Sequence, residues 1–275
     1  MEKRKIAGRT IEAIGLGVMA LDEYRPKVEE KDAIELLKYA SNLGVDFFDT
    51  ADVYGLGRNE ELIGKALNSK EKEKILIATK AGCTRPGGIN WDTDGRPEHI
   101  KEAIKGSLNR LKLKQIELYQ LHAPDRKIPL KESIKALKEL QENGLIKNIG
   151  VSNFSLQQLK EAQKMVNIVS VQNHFNIGHK SDEEELLPYL SENDIAYICY
   201  FPIGSGRLIN NAKIIEISNR INITPSQLLL AWIINKWENA IPIPGTKNKE
   251  HLDENIKAAE IKLSEKVMNE LNRLY

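Results

Sequence analysis

Gly44-Val45-Asp46-Phe47-Phe48-Asp49-Thr50-Ala51-Asp52-Val53-Tyr54-Gly55 is the stretch from which the rest of the chain can be read. Its apolar half, through Phe48, reads as a buried strand. Asp49 ends that strand, and a carboxylate there is costly unless something partners it. Tyr54 follows in a tight loop closed by Gly55. Alone, this pattern also suits a solvated loop acid beside a packed aromatic. Two further runs argue otherwise. Ile75-Leu76-Ile77-Ala78-Thr79 ends in Lys80, and Ile116-Glu117-Leu118-Tyr119-Gln120-Leu121 ends in His122. Three consecutive strand-like runs each deliver a titratable group at the carboxyl end.

Outward from there, apolar and amphipathic runs alternate, which favours a parallel sheet. Further strands are expected at 13–17, 147–151, 168–171, 195–199 and 240–243, making eight with the three above. Helices are expected over about 29–42, 59–67, from Pro97, 130–143, from Ser155, 182–192, 211–220, 224 onward, 249–258 and 264–274. Ser155 with Gln158, and Thr224 with Gln227, have capping-box spacing, and Pro97 and Pro225 suit a first helical turn. Residues 228–234 are apolar almost all round, so that helix should lie between layers. Residues 81–96, with Gly87-Gly88 and Trp91, read as a long loop of the kind that usually carries function. The economical solution is one α/β domain over 1–275, a closed (β/α)8 TIM barrel with right-handed crossovers. Such barrels place their chemistry at the carboxyl ends of the strands. Asp49, Lys80, His122, Ser152, Asn153, Gln172, Tyr200 and Gly245 all fall there.

Composition narrows the function. The chain has 275 residues, with 40 Lys and Arg against 39 Asp and Glu. This near balance gives no basic field to draw nucleic acid or a membrane surface. Cys83 and Cys199 are the two cysteines, without zinc spacing, and read as free thiols in a reducing compartment. The charged start, Met1 to Lys5, leads into no apolar signal core, and no run reaches the roughly 18 apolar residues of a membrane span. A soluble cytoplasmic protein is expected, with no metal and no obligate protein partner.

The strand-end residues suit one kind of chemistry. A phenol has an ordinary pKa near 10, and a neighbouring ammonium favours the phenolate. Lys80 could so tune Tyr54, with Asp49 holding Lys80, while His122 donates to a substrate oxygen. This layout protonates a carbonyl oxygen while its carbon receives a nucleophile. No serine or cysteine with an adjacent base stands out. Singly, each group has a plainer reading: surface lysine, core histidine, loop-satisfying Gln172 and Asn153, packed Tyr200. Their collection at one barrel mouth is what favours function.

These residues resemble the aldo-keto reductase family over nearly the whole chain. Asp49 to Gly55 is similar to its first signature, continued by Asn59-Glu60-Glu61-Leu62-Ile63-Gly64. Thr79-Lys80, Gln120-Leu121-His122, Gly150-Val151-Ser152-Asn153-Phe154, Val171-Gln172-Asn173 and Ile241-Pro242-Ile243-Pro244-Gly245-Thr246-Lys247 follow in register, with Glu254-Asn255 beyond. The resemblance implies hydride transfer from NADPH to an aldehyde or ketone, a small-molecule carbonyl. It makes Tyr54 the general acid, Lys80 and Asp49 its tuning pair, and His122 the group that orients the carbonyl. It also implies a cofactor lying across the barrel mouth, and no G-x-G-x-x-G fingerprint is present. Ser152, Asn153 and Gln172 would hold the carboxamide, Tyr200 would stack on the nicotinamide, and Phe201, Pro202, Ile203, Gly204 and Gly206 would wrap the pyrophosphate. Gly245, Thr246 and Lys247 would take the adenosine phosphate, aided by free N–H groups at a helix start, and Glu254 with Asn255 the adenine.

Two positions depart from the family. Phe201 stands where Ser or Thr is common, and His251 where many members carry arginine, which makes His251 a pH-dependent phosphate partner. Asp94-Gly95-Arg96-Pro97-Glu98 and Phe201-Pro202-Ile203-Gly204 are similar to bacterial members, including the pyridoxal-reductase-like branch. Substrate specificity is expected around Tyr24, Trp91, 123–126 and Phe154. Two other functions fit the fold: a cofactor-binding regulatory protein with little turnover, and a Schiff-base aldolase using Lys80. The intact Asp49, Tyr54, Lys80 and His122 favour the reductase.

Overall fold

The computed structural model describes residues 2–21, 28–86 and 90–275. It starts with an antiparallel hairpin absent from the sequence reading, Lys3–Ile6 (β1) and Arg9–Glu12 (β2). Ala7 and Gly8 turn it with φ of 52° and 77°, the doubly positive pattern of a type I′ turn. Alternation explains its seating: Arg4, Ile6 and Ile11 point inward and are buried, while Lys3 and Lys5 face out.

The barrel strands follow: Leu16–Gly17 (β3), Phe47–Asp49 (β4) and Leu76–Ala81 (β5). A small antiparallel hairpin, Cys83–Thr84 (β6) with Asp92–Thr93 (β7), interrupts them. Ile116–Leu121 (β8), Ile146–Ser152 (β9), Ile168–His174 (β10), Ala196–Tyr200 (β11) and Ala240–Pro242 (β12) complete the set. They run parallel in the order β3-β4-β5-β8-β9-β10-β11-β12. The ends meet: the amide of Gly15 donates to the carbonyl of Pro242 at 3.1 Å, and that of Gly17 to Pro244 at 3.3 Å. The seam needs glycine, because a Cβ on Gly17 would stand 2.6 Å from the Ile243 carbonyl oxygen. The first strand is therefore shorter than the expected 13–17, and its flanks make the closure.

Helices Glu30–Asn42 (α1), Arg58–Ala66 (α2), Ser69–Lys74 (α3), Pro97–Leu111 (α4), Leu130–Glu142 (α5), Leu156–Gln163 (α6) and Leu186–Glu192 (α7) alternate with the strands. Ala212–Arg220 (α8), Pro225–Lys236 (α9), Lys249–Lys257 (α10) and Glu265–Asn272 (α11) follow. Both expected capping boxes form, and α3 has a third, Asn68 with Glu71. Every residue from Leu228 to Ile234 of α9 is buried, as an all-apolar helix requires. Helix α7 starts four residues later than expected. Asp182 is drawn onto the strand ends instead, accepting bonds from Asn173 Nδ2 and the Tyr197 hydroxyl, both at 2.7 Å. The expected long loop at 81–96 carries the β6–β7 hairpin; Gly87, Gly88 and Tyr24 lie outside the described residues.

Two apolar layers result. Leu37, Ile63, Ile104, Leu137, Leu187 and Leu229 pack between helices and sheet. Phe47, Leu76, Ala78, Leu118, Ile198 and Ile241 fill the barrel, and Ile6 and Ile11 of the hairpin plug its amino-terminal end. Each such aliphatic side chain contributes roughly 1.5–3 kcal/mol on burial. The filled lower barrel leaves the carboxyl end of the strands as the place for a site.

Candidate active site

Alternate residues of a strand share a face. On the barrel's inward face this periodicity carries a change of chemistry. Phe47, Ala78, Leu118 and Ile198 belong to the apolar filling. Two residues further along the same strands stand Asp49, Lys80, Gln120 and Tyr200. The register aligns them, pairing Asp49 with Ala78, Lys80 with Gln120, and Gln172 with both Ser152 and Ile198.

Lys80 is fully buried, and its Nζ donates to Asp49 Oδ1 at 2.6 Å and to the Thr50 carbonyl at 2.8 Å. The other carboxylate oxygen, Oδ2, accepts from Gln172 Nε2 at 2.7 Å and Gln120 Nε2 at 3.4 Å. A buried ion pair persists only when its remaining donors and acceptors are met. Here four strands converge to meet them.

Tyr54 lies above this pair, with Lys80 Nζ 5.2 Å from its ring centroid. The residue stands in the turn after β4, where Gly55 adopts φ 57°. Its hydroxyl pKa is pushed well above the usual value, by burial first and by the Asp49 charge next. The expected lowering by Lys80 is thus not the net outcome. Desolvation of the phenolate dominates, and the Asp49 charge adds to it. Tyr54 is held protonated.

The His122 ring is edge-on to Tyr54 at 5.7 Å, and Trp91 closes the triangle at 6.2 Å from Tyr54 and 5.8 Å from His122. Burial, then the Lys80 charge, drive the imidazole pKa well below 6.5, so the ring is neutral at pH 7. Its Nδ1 is buried without a hydrogen-bond partner. An orphaned N–H is rarer in proteins than an orphaned acceptor. The favoured tautomer therefore leaves Nδ1 bare and puts the proton on Nε2.

These groups line a cavity of about 600 Å³ at the barrel mouth, within the size range of small-molecule sites. Asp49, Tyr54, His122, Ser152, Asn153, Gln172, Tyr200, Phe201, Pro202, Ile203, Gly206 and Gly245 of the expected set reach it. Lys80 does not; it is fully buried. Ser205, Ile243 and Pro244, which stand inside the stretches the resemblance covered, line it too, and Gly17, Met19, Ala20 and Cys83 line it unforeseen. They are short or apolar residues without chemical signature, and only their places at or just beyond strand ends could have marked them.

The match to known proteins agrees with this geometry. The family model for the "Aldo/keto reductase family" covers residues 13–275. A probable aldo-keto reductase of Glycine max is 35% identical, over 96% of this chain and 85% of that one.

The chain belongs to the aldo/keto reductase family.

An uncharacterised oxidoreductase of Schizosaccharomyces pombe is also 35% identical, over 98% of this chain and 88% of that one. Among solved structures, a thermostable aldo-keto reductase in complex with the inhibitor epalrestat superposes with TM-score 0.88 at 34% identity, both chains fully covered. An aldo/keto reductase of Klebsiella pneumoniae, in complex with NADP and acetate, gives TM-score 0.86 at 26% identity, over 100% of this chain and 95% of that one.

Away from Tyr54, this aldo/keto reductase holds its other polar groups in one chain of bonds. The Tyr200 hydroxyl donates to Asn153 Oδ1 at 2.7 Å, and Asn153 Nδ2 donates to the His122 carbonyl at 2.9 Å and Ser152 Oγ at 3.2 Å. Asn153 has φ 60°, which its short polar side chain tolerates. Phe201, Gly204, Ser205 and Gly206 also have positive φ, so the segment after β11 curls tightly along the cavity. Phe154, expected to shape specificity, is instead buried in the outer core.

The far end departs most from expectation. Gly204, Thr246, Lys247, His251, Glu254 and Asn255 do not line the cavity. Asn255 and Thr246 are buried, and Lys247 and His251 are exposed. The amides of Glu250 and His251, expected free for a phosphate, donate to Asn248 Oδ1 at 2.7 and 3.3 Å. The Thr246 hydroxyl accepts from the Asn248 amide at 3.1 Å and donates to its carbonyl at 3.3 Å. A helix N-cap residue satisfies these groups internally, and Asn248 in that role was not foreseen.

Proposed function

We propose that this family member is an NADPH-dependent reductase of aldehydes and ketones, with Tyr54 as general acid. The observation that carries this reading is a protonated Tyr54 and a neutral His122 facing one cavity above the buried Lys80–Asp49 pair. The Klebsiella pneumoniae relative, in complex with NADP, supports the cofactor class.

The residues fit a dinucleotide. The Gln172 amide, the Ser152 hydroxyl and the remaining lone pair of Asn153 Oδ1 suit a carboxamide, and the Tyr200 ring beside them suits a flat heterocycle. A Cβ on Gly206 would meet nothing within 4 Å, so the curled segment leaves room for a close ligand. Lys247 supplies the positive charge at the far end. Bound there, the nicotinamide ring would supply the hydride that the carbonyl carbon receives.

The protein's own groups do the rest. His122 Nε2–H donates to the carbonyl oxygen and sets its direction. Tyr54 donates its proton to that oxygen as charge develops on it, and regains a proton from solvent. Such proton transfer is typically worth about 10²–10⁴-fold in rate. The Lys80 charge, held in place by Asp49, lessens the cost of the phenolate left behind. Trp91, Met19 and the Tyr54 ring present apolar surface that keeps water from the reacting carbon.

A panel of aldehydes and ketones, pyridoxal included, with NADPH and NADH side by side, tests the reading. Multiple-turnover oxidation of NADPH by at least one carbonyl is expected. Cofactor binding without turnover of any of them would favour a regulatory role.

A further inference from the structure

Beside the Tyr200 ring, but outside the cavity lining, stands a group of side chains that the mechanism does not use. His174 ends β10 and pairs in register with Tyr200 of β11. Its ring stacks on Tyr200 at 5.5 Å and on His179 at 4.0 Å, each at 14° between planes. The Phe201 ring meets it edge-on at 5.7 Å. Asn176, which is buried, ties this stack to the segment beyond β11. Its Oδ1 accepts from the Gly178 amide at 2.9 Å, and its Nδ2 donates to the Phe201 carbonyl at 2.9 Å. One of these backbone partners can only donate and the other only accept, so together they fix which end of the amide is nitrogen. The same Nδ2 lies 3.1 Å from His174 Nε2. A donor there requires an acceptor. His174 Nε2 is therefore bare and the ring neutral, with its proton on Nδ1.

The bond matters because of what Asn176 holds. Phe201 has φ 51°, a left-handed conformation that a bulky residue keeps only under constraint. Two donors fasten its carbonyl, Asn176 Nδ2 and the Gly204 amide, both at 2.9 Å. Phe201 opens the curl of 201–206, of which Phe201, Pro202, Ile203, Ser205 and Gly206 line the cavity. We propose that His174 and Asn176 are positioning residues for the cofactor: neutral His174 accepts from Asn176, Asn176 holds Phe201 left-handed, and a proton on His174 Nε2 undoes the clamp by setting donor against donor. This rests on the NADPH reading above for the ligand, though not for the clamp itself. The titratable and charged groups that face the His174 ring are His179 on the turn after β10, Tyr200 of β11 and Arg207 just past the curl. Burial first, then His179 and Arg207, hold the imidazole pKa below 6.5. The clamp is thus closed at neutral pH and opens in acid, where the curl and the cofactor affinity weaken together.

The test joins two variants to two readouts. His174→Gln offers an amide oxygen to Asn176 and cannot titrate. His174→Phe keeps a stacked ring and offers no acceptor. Without cofactor, ring-nitrogen NMR of the native protein should show His174 protonated on Nδ1 at about pH 7.5. The amide signals of 201–206 should shift as that ring titrates in acid, and should hold still over the same range in His174→Gln. A proton on Nε2, or 201–206 signals indifferent to the titration, overturns the proposal. NADP binding is then followed by fluorescence quenching from about pH 8 to 5.5. Titration of the cofactor's own phosphate or of His251 is common to all three proteins, so the differences between them are read. His174→Phe should bind more weakly than native at the alkaline end by roughly two- to tenfold, the worth of one hydrogen bond. His174→Gln should match native there and lose less in acid. Equal binding by all three proteins at every pH overturns the proposal. If His174→Phe does not fold, the native NMR titration and His174→Gln decide. A protein with the NMR signature that binds no NADP would refute the cofactor reading and leave the clamp standing.

Discussion

At the scale of the residue, the site is a set of solutions to the cost of burying charge. Lys80 and Asp49 are each satisfied by more than the other, through Thr50, Gln172 and Gln120. Lys80→Met should therefore destabilise by about 3–5 kcal/mol, since it strands a buried carboxylate. Lys80→Met with Asp49→Asn should cost less than Lys80→Met alone; urea titration of the two proteins checks this. The histidine has its own signature. His122 stays neutral in the folded protein while the unfolded chain binds a proton near pH 6.5. Folding stability should thus fall as pH drops below about 6.5, and part of that fall should vanish in His122→Gln. Asp52 has the opposite sign. The folded protein holds its proton up to about 8, whereas an ordinary aspartate gives it up near 3.8. Stability should decline as pH rises between these limits, and Asp52→Asn should flatten the decline. Which residues would matter was legible in sequence, because costly polar types ended three consecutive apolar runs. The sign of the Tyr54 shift was not. It depends first on how deeply the hydroxyl is buried and then on the Asp49 charge, neither of which spacing reveals.

At the scale of the element, capping and closure decide what the strand ends can offer. Helix α10 keeps its first amides for Asn248, so the charge of Lys247 carries the larger share of any 2′-phosphate recognition. Lys247→Ala should weaken NADPH by roughly ten- to a hundred-fold and leave NADH nearly unchanged, as fluorescence-quenching titrations would show. Equal losses for both cofactors would mean that Lys247 does not read the phosphate. The barrel strands, the helices other than α3 and two of the capping boxes followed from apolar period and cap residues. The β1–β2 hairpin did not, because alternating Lys and Arg hide a pattern in which only Ile6, Ile11 and Arg4 face inward. The late start of α7 was equally hidden, since four successive acidic residues from Asp182 to Glu185 read as a helix start until Asn173 and Tyr197 claim the first.

At the scale of the whole molecule, stability and function occupy opposite ends of one barrel. At the amino-terminal end, the buried Arg4 donates from Nε to the Ala240 carbonyl at 3.1 Å and from NH2 to the Ile234 carbonyl at 2.8 Å, pinning the hairpin over the core. Arg4→Ala should cost roughly 1.5–3 kcal/mol in stability while leaving KM for cofactor and carbonyl unchanged; chemical denaturation and steady-state kinetics on one preparation would show both. No helix among the described residues is long and apolar enough to cross a membrane. At the carboxyl end, the proposed chemistry rests on a buried, protonated Tyr54 that delivers the proton completing carbonyl reduction. Tyr54→Phe removes the hydroxyl and keeps the ring that packs against His122 and Trp91. The most direct measurement is single-turnover reduction of an aromatic aldehyde by native and Tyr54→Phe protein, each saturated with NADPH. The account predicts a fall of about 10²–10⁴-fold in the rate of NADPH consumption, with cofactor affinity nearly intact; reduction by Tyr54→Phe at the native rate would contradict it.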